Sequence, residues 1–183
     1  DRLVASYLSS YKIPAVIVRP FNVFGPRQHL EKLFPRFITS ILLQEPMTIH
    51  GTGDSKRDYT FVGDVAAAID AILHAPDEQV VGDIFNLGSG NSYSVKELAE
   101  IILNKMIVDE NGEPRSFQFS SYAVNMGDRP GQVFRHTANA DKIFNRLGWK
   151  PVVTLDDGIE QTVRWYKENQ GWWEDKVWMR HVP

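Results

Sequence analysis

The chain has 183 residues, of which 43% are hydrophobic, and this is enough for one globular domain. Its formal net charge is −3 at pH 7, so no overall positive field would draw it to nucleic acid or to a membrane surface. The absence of cysteine excludes disulfides, thiolate metal sites and a thiol nucleophile, and fits a reducing, cytoplasmic location. We expect no membrane span and no signal peptide, since no long apolar run occurs.

Helices and strands alternate in the first half of the predicted fold. Apolar residues on one face indicate a helix from Arg2 to Tyr11. The apolar run at 15–18, which is rich in β-branched side chains, predicts a buried parallel strand. The elements expected next are a helix at 33–43, a short strand at 47–50 and a helix at 65–74. Asp64 directly precedes that last helix and is predicted to cap it.

A strand and three further helices are predicted in the second half. The strand is expected at 83–87. Ser94 and Glu97 have the spacing of a capping box, which predicts a helix over 95–106. The acidic stretch at 109–114 contains Gly and Pro and is typical of a loop. The last two helices are expected at 140–147 and 156–168.

The strand predicted at 15–18 needs neighbours, because a buried parallel strand pairs on both edges and is covered by crossover helices. Few other strands are predicted to flank it. We therefore expect the chain to be the C-terminal portion of a larger α/β protein whose remaining strands complete the sheet. The alternative is that this strand pairs with residues 83–85 in a small sheet of its own.

Asn22 is a candidate ligand-binding residue. It follows a predicted strand and precedes the turn Gly25-Pro26, which places it at the carboxyl edge of a sheet, where ligands bind in open α/β folds. Its amide can donate a hydrogen bond to a phosphate oxygen while accepting one from the backbone. The alternative is that Asn22 only organises the turn, and the residues alone favour neither interpretation.

Two arginines beside glycine- or proline-containing turns are candidates for binding a diphosphate. Arg57 follows the Gly-x-Gly turn at 51–53, and Arg129 lies in Gly-Asp-Arg-Pro-Gly at 127–131. The planar guanidinium fork matches phosphate oxygens with two parallel charge-assisted hydrogen bonds. For Arg57 the alternative is a weak surface ion pair with Asp58, and for Arg129 it is a solvated loop charge.

Two sequence blocks resemble the extended short-chain dehydrogenase/reductases that act on nucleotide sugars. The first is Arg-Pro-Phe-Asn-Val-Phe-Gly-Pro at 19–26, and the second is Gly-Thr-Gly-Asp-Ser-Lys-Arg-Asp-Tyr at 51–59. The segment Glu-Lys-Leu-Phe-Pro at 31–35 and the tryptophan-rich stretch at 165–173 are most similar to dTDP-glucose 4,6-dehydratases. The resemblance extends over nearly the whole chain.

The resemblance implies the C-terminal portion of a Rossmann-type α/β fold. Residues 1–25 would be the last helix and strand of the Rossmann core. Residues 26–183 would mainly form a mixed α/β substrate-binding lobe, with some segments returning to the core sheet. The sequence has no Gly-x-x-Gly-x-x-Gly loop and no Tyr-x-x-x-Lys pair before 19–26. We therefore expect no catalytic residue in this chain, with the catalytic Tyr and Lys preceding Asp1 on a helix that continues into 2–11.

The resemblance also implies ligand contacts, residue by residue. The positions of Pro20 and Phe21 lie near the nicotinamide of NAD. The residues expected to bind the nucleotide-diphosphate sugar are Asn22, Lys32, Leu33, His50, Arg57, Asn86 and Arg129. Among these, the two arginines and Asn22 would hold chiefly the diphosphate. The segment of Lys32 and Leu33 would fold over the substrate, and Asn86 would lie near the nucleotide.

Three residues depart from the dehydratase pattern. His50 stands where a tyrosine beside the base is usual, and Thr48 stands where proline is frequent. Gln132 replaces the His or Asp that commonly follows Arg-Pro-Gly. These differences leave the nucleobase, and therefore the sugar donor, open.

The resemblance implies a parent enzyme that is an NAD-dependent nucleotide-sugar 4,6-dehydratase or epimerase, with this chain as its substrate-binding part, inactive alone. In such an enzyme the Tyr takes a proton from a sugar hydroxyl while NAD accepts the hydride. Residues of this chain would orient the substrate. The alternatives are an extended short-chain reductase with a non-nucleotide substrate and a non-catalytic binding relative.

A homodimer is also implied, with the helix 2–11 at the interface through Leu3, Tyr7 and Leu8. The competing interpretation places these residues in the core of the protomer. No metal site is predicted, because the histidines lack ligand spacing. The histidines considered are His29, His74, His136 and His181. The tryptophans expected to pack in a core or interface rather than bind carbohydrate are Trp165, Trp172, Trp173 and Trp178.

Overall fold

The computed structural model describes residues 1–128 and 130–181. Over these residues the α-helices are α1 (Arg2–Tyr11), α2 (Leu33–Leu42), α3 (Val62–Leu73), α4 (Asp77–Val80), α5 (Val95–Met106), α6 (Asp141–Leu147), α7 (Leu155–Glu168) and α8 (Gln170–Trp173). The strands are β1 (Ile17–Pro20), β2 (Asn22–Phe24), β3 (Met47–His50), β4 (Lys56–Phe61), β5 (Ile84–Leu87), β6 (Ser92–Ser94), β7 (Ala123–Met126) and β8 (Arg135–His136). Short 3₁₀ segments occur at Phe119–Ser121 and Glu174–His181. Within this described part, no helix combines the length and the apolar composition that crossing a bilayer requires.

Most strand pairs are parallel. β1 pairs with β5, with Ile17 opposite Ile84, and β3 pairs with β7. β4 pairs with β2 and β8 in parallel and with β6 in the antiparallel sense. Parallel strands require long crossover connections, and in open α/β sheets ligands bind at the carboxyl ends of such strands. The architecture is therefore α/β, as predicted.

Two clusters of buried apolar side chains organise the chain. The larger cluster lies among α2, β3, α5 and α7 and includes the fully buried Ile38 and Leu98. The smaller cluster lies around α3, β5 and α6 and includes the fully buried Phe85. β2 connects the two, because Val23 packs on the smaller cluster and Phe24 belongs to the larger one. β2, together with β4 that pairs with it, thus lies where the two parts of the fold meet.

Several local predictions are confirmed. The helix at 2–11 and the strand at 47–50 have the predicted bounds. The capping box is also present, since Ser94 Oγ accepts from the Glu97 N–H at 3.1 Å and the Glu97 carboxylate accepts from the Ser94 N–H at 2.6 Å. The other long helices begin or end within one residue of their predicted bounds, at 33–42, 141–147 and 155–168.

The strand expected at 15–18 begins two residues late, as β1, and its side chains are half-buried or exposed rather than buried. Pro14 has no N–H to contribute to a sheet. The Ala15 N–H donates to the Ile13 carbonyl in a local turn at 3.0 Å, so regular pairing starts only at Ile17. The partner strand is β5, as the small-sheet alternative predicted.

The prediction that Asp64 caps the following helix is wrong. α3 begins at Val62 with Phe61 as its N-cap, and Asp64 lies in the first turn. Its buried carboxylate accepts from the N–H groups of Val152 at 3.2 Å and Val153 at 3.0 Å. Asp64 therefore holds the segment that leads into α7, and its negative charge lies at the favourable end of the α3 dipole.

The sequence predicted α7 as the last helix. In the structure, α8 and a 3₁₀ segment follow it. Trp173 is fully buried, and its indole N–H donates to a backbone carbonyl of α7 at 2.9 Å. The rings of Trp165 and Trp172 contact edge to face at 5.0 Å. The packing role predicted for Trp165 and Trp173 is confirmed, whereas Trp172 and Trp178 are 37% and 65% exposed and do not belong to this core.

Candidate functional site

Asn22 is the first residue of β2 and lies opposite Tyr59 of β4. Its side-chain amide donates to the backbone carbonyl of Asp58 at 2.9 Å and so links the two strands. Asn22 therefore organises the local structure, as the alternative proposed. The side-chain carbonyl and the second amide hydrogen still have hydrogen-bonding capacity, so a ligand contact is compatible with this role.

Asp58, in the middle of β4, is a fully buried carboxylate. It accepts four hydrogen bonds, from the N–H and hydroxyl of Ser89 and from the N–H groups of Gly90 and Ala138, at 2.7–3.0 Å. The alternative interpretation of Arg57, a surface ion pair with Asp58, is therefore wrong. The carboxylate instead joins two distant loops to β4. A buried charged group needs hydrogen-bond partners, and these loops supply them.

Arg57 is half-buried and points away from Asp58, because successive strand residues alternate between the two faces. One guanidinium nitrogen donates to the Lys56 carbonyl at 2.8 Å. Among the described residues, no carboxylate lies within ion-pair distance of Arg57. The backbone of Arg57 is opposite Tyr93 on β6 and His136 on β8. A half-buried cation on the strand that pairs with the strand of Asn22 is a suitable anion-binding group.

A cavity lies between the start of α2 and the end of β3, and we call it the α2–β3 cavity. Its volume is about 140 Å³. Its polar lining residues are Glu31, Arg36, Thr48, His50 and Gln132. Its apolar lining residues are Leu33, Phe37 and Val95. The cavity thus brings together Leu33 and His50, which were predicted to bind substrate. It also includes Thr48 and Gln132, the other two residues that depart from the dehydratase pattern.

Electrostatics at the cavity mouth involve an adjacent ion pair. Lys32, the N-cap of α2, contacts the Glu31 carboxylate at 2.7 Å. The hydrogen bond from the Lys32 ammonium holds the pKa of Glu31 below its usual range. His50 Nδ1 lies 3.3 Å from the Gly127 carbonyl. This contact joins the end of β3 to the segment just before Arg129, one of the predicted substrate residues.

Thr48 contributes a hydroxyl that is buried and has no hydrogen-bond partner among the described residues. It lies on β3 beside the fully buried Met47 and Ile49. A buried hydroxyl without a partner is unfavourable by roughly 1–3 kcal/mol, and such groups often belong to binding sites.

The buried tyrosines are not suited to proton transfer. Burial raises the pKa of Tyr59 to about 12. Burial also raises the pKa of Tyr166, whose hydroxyl donates to the Gln28 carbonyl at 2.6 Å. Both phenols therefore remain protonated near neutral pH, whereas a general base needs a pKa close to the operating pH.

Pro20 and Phe21, the predicted cofactor contacts, lie at the carboxyl end of β1. Pro20 has no N–H, and the Phe21 N–H donates to the Leu87 carbonyl at 2.9 Å. Their backbone donors are thus absent or already used. These two residues can therefore offer a ligand van der Waals surface and carbonyl acceptors, but no free backbone donor.

Two predicted substrate residues do not join this group. Asn86 lies on β5 opposite Arg19 of β1, and it does not line the α2–β3 cavity. Arg129 lies outside the described residues, so its predicted contact with a diphosphate stays a prediction. Within the described ranges, no three His, Asp or Glu side chains come together in a way that could hold a metal ion.

Sequence reasoning did not single out four residues that line the cavity, which are Glu31, Arg36, Phe37 and Val95. Arg36 and Phe37 follow Leu33 by one helical turn, so the spacing of i, i+3 and i+4 on α2 was an available signal. Val95 reaches the cavity from the start of α5, and no local pattern indicates that contact.

Comparison with known proteins places this arrangement in a family. A sequence profile described as GDP-mannose 4,6 dehydratase matches residues 1–162. The chain belongs to this family. The extended short-chain resemblance of the two sequence blocks is thereby confirmed.

Relatives in the family include dehydratases and epimerases. The dTDP-D-glucose 4,6-dehydratase of Dictyostelium discoideum is 32% identical to this chain, over 94% of the chain and 44% of the relative. The corresponding mouse enzyme, from Mus musculus, is 35% identical over 94% of the chain and 46% of its own length. The chain thus spans about half the length of the curated relatives it matches.

A solved structure of a family relative has the same fold. The UDP-glucuronic acid 4-epimerase of Bacillus cereus, in complex with UDP-glucuronic acid and NAD, has a TM-score of 0.78 and 27% identity. The similarity covers 91% of this chain and 49% of the epimerase. The Rossmann-type fold class of the chain is therefore established over nearly all of its length.

Proposed function

We propose that the chain is the substrate-binding part of an NAD-dependent nucleotide-sugar 4,6-dehydratase or epimerase. The observation that carries this proposal is Arg57, a half-buried cation with no described carboxylate partner, on the strand β4 that pairs with the strand of Asn22 at the junction of the two core clusters. The names of the relatives support the same reaction classes. A reductase with a non-nucleotide substrate would have no evident use for this cation.

The diphosphate of the sugar nucleotide would bind to Arg57. Its planar fork can donate two parallel hydrogen bonds to phosphate oxygens, and partial burial strengthens them relative to a solvated arginine. The Asn22 amide, fixed by its bond to the Asp58 carbonyl, would donate to the same group. The sugar and the base would extend from there, with the base in the α2–β3 cavity near Leu33 and His50.

NAD would contact this chain mainly at Pro20 and Phe21, whose apolar surfaces suit the face of a nicotinamide ring. When bound, NAD supplies hydride acceptance and return at a sugar carbon. The residues of this chain position the substrate for that chemistry and shield it, while a Tyr and Lys outside the chain move the proton. Asn86, on β5 opposite Arg19, would lie near the nucleotide.

In the parent enzyme, the boundary between the Rossmann core and the substrate-binding lobe would follow the two core clusters. Residues 1–25 would belong to the Rossmann core, and 26–183 mainly to the substrate lobe. The pairing of β5 with β1 and the packing of α3 and α6 on β5 support the return of some segments to the core sheet.

We also propose a cytoplasmic homodimer, supported by α1, which has no buried residue. Its apolar side chains Leu3 and Tyr7 are 71% and 49% exposed.

Replacing Arg57 by alanine in the parent enzyme tests the proposal. Loss of a charge-assisted hydrogen bond costs about 1.5–3 kcal/mol, so affinity for a nucleoside diphosphate should fall by roughly ten- to a hundredfold in calorimetry. Arg57→Lys should restore affinity only in part, because an ammonium cannot reproduce the planar fork. Exposed Arg115 provides the matched control, and Arg115→Ala should bind normally. Wild-type affinity in Arg57→Ala would refute the diphosphate site.

Arg129 enters through a double-mutant cycle. If Arg57 and Arg129 contact the same diphosphate, the effects of their two alanine variants should be non-additive. Additive effects would mean that the two arginines serve separate groups.

A further inference from the structure

Arg180, in the 3₁₀ segment Glu174–His181, is an almost completely buried arginine, with only 3% of its surface exposed. Its Nη1 donates to the Glu45 carboxylate at 2.7 Å, and its Nη2 donates to the hydroxyl of Ser40. Its Nε is also buried and has no hydrogen-bond partner among the described residues. Arginine is rarely buried unless its charge is paired, so the contacts with Glu45 and Ser40 are what hold this side chain inside the protein.

Both partners of Arg180 belong to the carboxyl end of α2. Ser40 lies in the last turn of the helix, and Glu45 follows the end of the helix by three residues. α2 has no basic residue of its own in that last turn. A cation there is favourable, because the helix dipole is negative at its carboxyl end. Arg180 therefore supplies, from a distant part of the sequence, the positive charge that the end of α2 lacks.

The segment Glu174–His181, which we call the 174–181 strap, has few other attachments. Over residues 174–180 Arg180 is the one buried residue, and Val177 and Met179 are only partly buried against the larger core cluster. A 3₁₀ helix has poorer hydrogen-bond geometry than an α-helix and is seldom longer than three or four residues, whereas this one has eight. Segments with few buried side chains open locally at a low free energy. Closure of the strap therefore depends mainly on Arg180.

α2 connects the strap to the α2–β3 cavity. Arg36 and Phe37, which line the cavity, precede Ser40 by four and three residues and so lie on the same side of the helix. The helix has ten residues and is a rod of about 15 Å. A movement of its carboxyl end would therefore also move the cavity wall. None of the residues that line the described cavity belongs to the strap.

We propose that Arg180 is a positioning residue, which closes the 174–181 strap over the end of α2 and thereby sets the α2 wall of the α2–β3 cavity. This inference rests on the proposed nucleotide-sugar function and adds a conformational device to it. Coupling between two sites is reciprocal. A nucleotide that needs α2 in place therefore stabilises the closed strap without contacting it, and the closed strap strengthens nucleotide binding.

Hydrogen exchange measured by mass spectrometry on the parent enzyme, with and without dTDP or UDP, tests this coupling. In the wild type, bound nucleotide should slow exchange in residues 33–45 and also in the strap. Arg180→Met keeps an apolar stem but removes the charge. It should speed exchange in both segments, abolish the response of the strap to nucleotide, and weaken nucleotide affinity in calorimetry by about five- to fiftyfold. A residue that only stabilised the fold would not make exchange in the strap depend on nucleotide.

Arg180→Lys tests the geometry of the contact and is the second variant if Arg180→Met does not fold. It should recover part of the affinity, because an ammonium can pair with Glu45 but cannot reproduce the planar fork that also reaches Ser40. Arg164, which is exposed on α7 and pairs with Glu160 of the same helix, provides the matched control. Arg164→Met should bind and exchange as the wild type does.

Strap exchange that ignores bound nucleotide in the wild type would overturn the coupling. Wild-type affinity and wild-type exchange of α2 in Arg180→Met would overturn the positioning role of Arg180. A wild-type parent that binds neither dTDP nor UDP would instead refute the nucleotide-sugar function, and the coupling with it. Exchange of α2 in Arg180→Met decides separately whether Arg180 holds the helix, since that comparison needs no ligand.

Discussion

Arg57 and Asp58 are neighbours in sequence, but their side chains have opposite environments on β4. Asp58 is fully buried and accepts four hydrogen bonds from loops near residues 89 and 138. Arg57 lies on the other face, half-buried. The carboxylate thus fixes the strand in which the proposed ligand-binding cation lies. Strand alternation separates a structural charge from the proposed ligand-binding charge at adjacent positions.

Asp58→Asn should destabilise the fold strongly. In the asparagine, an NH2 group replaces one carboxylate oxygen, so its N–H groups would face backbone N–H donors. The remaining oxygen carries no charge and is a weaker acceptor. We expect a loss of about 2–4 kcal/mol in the free energy of unfolding, measured by urea denaturation. Exposed Asp54 is the matched control, and Asp54→Asn should change stability by less than about 0.5 kcal/mol. An equally small effect of Asp58→Asn would contradict the role of the carboxylate.

Asp83 should make stability depend on pH. The Lys142 ammonium, together with Arg146, holds the pKa of Asp83 below its ordinary value and links β5 to α6. Because the pKa of Asp83 is lower in the folded state than in the unfolded chain, its ionised carboxylate stabilises the fold. This stabilisation is complete above the ordinary carboxyl pKa and is lost as the pH falls through the lowered folded-state pKa. Asp83→Asn should therefore destabilise the protein at pH 7 by up to about 1 kcal/mol, and much less near pH 2.5.

Urea unfolding at the two pH values measures this difference. Glu113, an exposed loop carboxylate, provides the control, since Glu113→Gln should have little effect at either pH. A destabilisation by Asp83→Asn that is the same at both pH values would show that the carboxylate acts through packing rather than charge.

Local signals in the sequence identified most of the regular structure. The Ser94–Glu97 capping box is complete within four residues, so the pattern alone was sufficient. Asp64 was misassigned because its partners, Val152 and Val153, are far along the chain. Asp58 was likewise interpreted through its neighbour Arg57, although its partners come from two other loops. Buried carboxylates that bind distant backbone groups leave no periodic signal.

The candidate site shows the same limit. Asn22 was found from its position after a strand and Arg57 from the Gly-x-Gly turn that precedes it, and the structure places them on adjacent strands. The α2–β3 cavity, in contrast, combines a helix start, a strand end and a loop near Gln132, and only tertiary packing brings these together. Sequence reasoning identified His50 and Gln132 as unusual but could not establish that they line one cavity.

The 183-residue chain alone should bind NAD weakly and should not turn over a nucleotide sugar. The sequence has no glycine-rich loop that would hold the pyrophosphate at a helix N-terminus. Pro20 and Phe21 have no free backbone donor with which to bind the pyrophosphate. Calorimetry on this chain, with circular dichroism to verify folding, should give no binding at micromolar NAD. Micromolar affinity would contradict this prediction and would require an additional phosphate-binding group within the chain.

The apolar face of α1 should form the dimer interface of the parent enzyme. α1 has no buried residue in this structure, and Leu8 is half-buried between the exposed Leu3 and Tyr11 on that helix. Leu8→Glu should therefore shift the parent toward monomers in light scattering while its circular dichroism stays native, because a buried unpaired charge at an interface is strongly unfavourable. Leu73, which is exposed at the end of α3, is the control, and Leu73→Glu should remain dimeric. An intact dimer with an unfolded protomer in Leu8→Glu would instead assign this face to the core of the protomer.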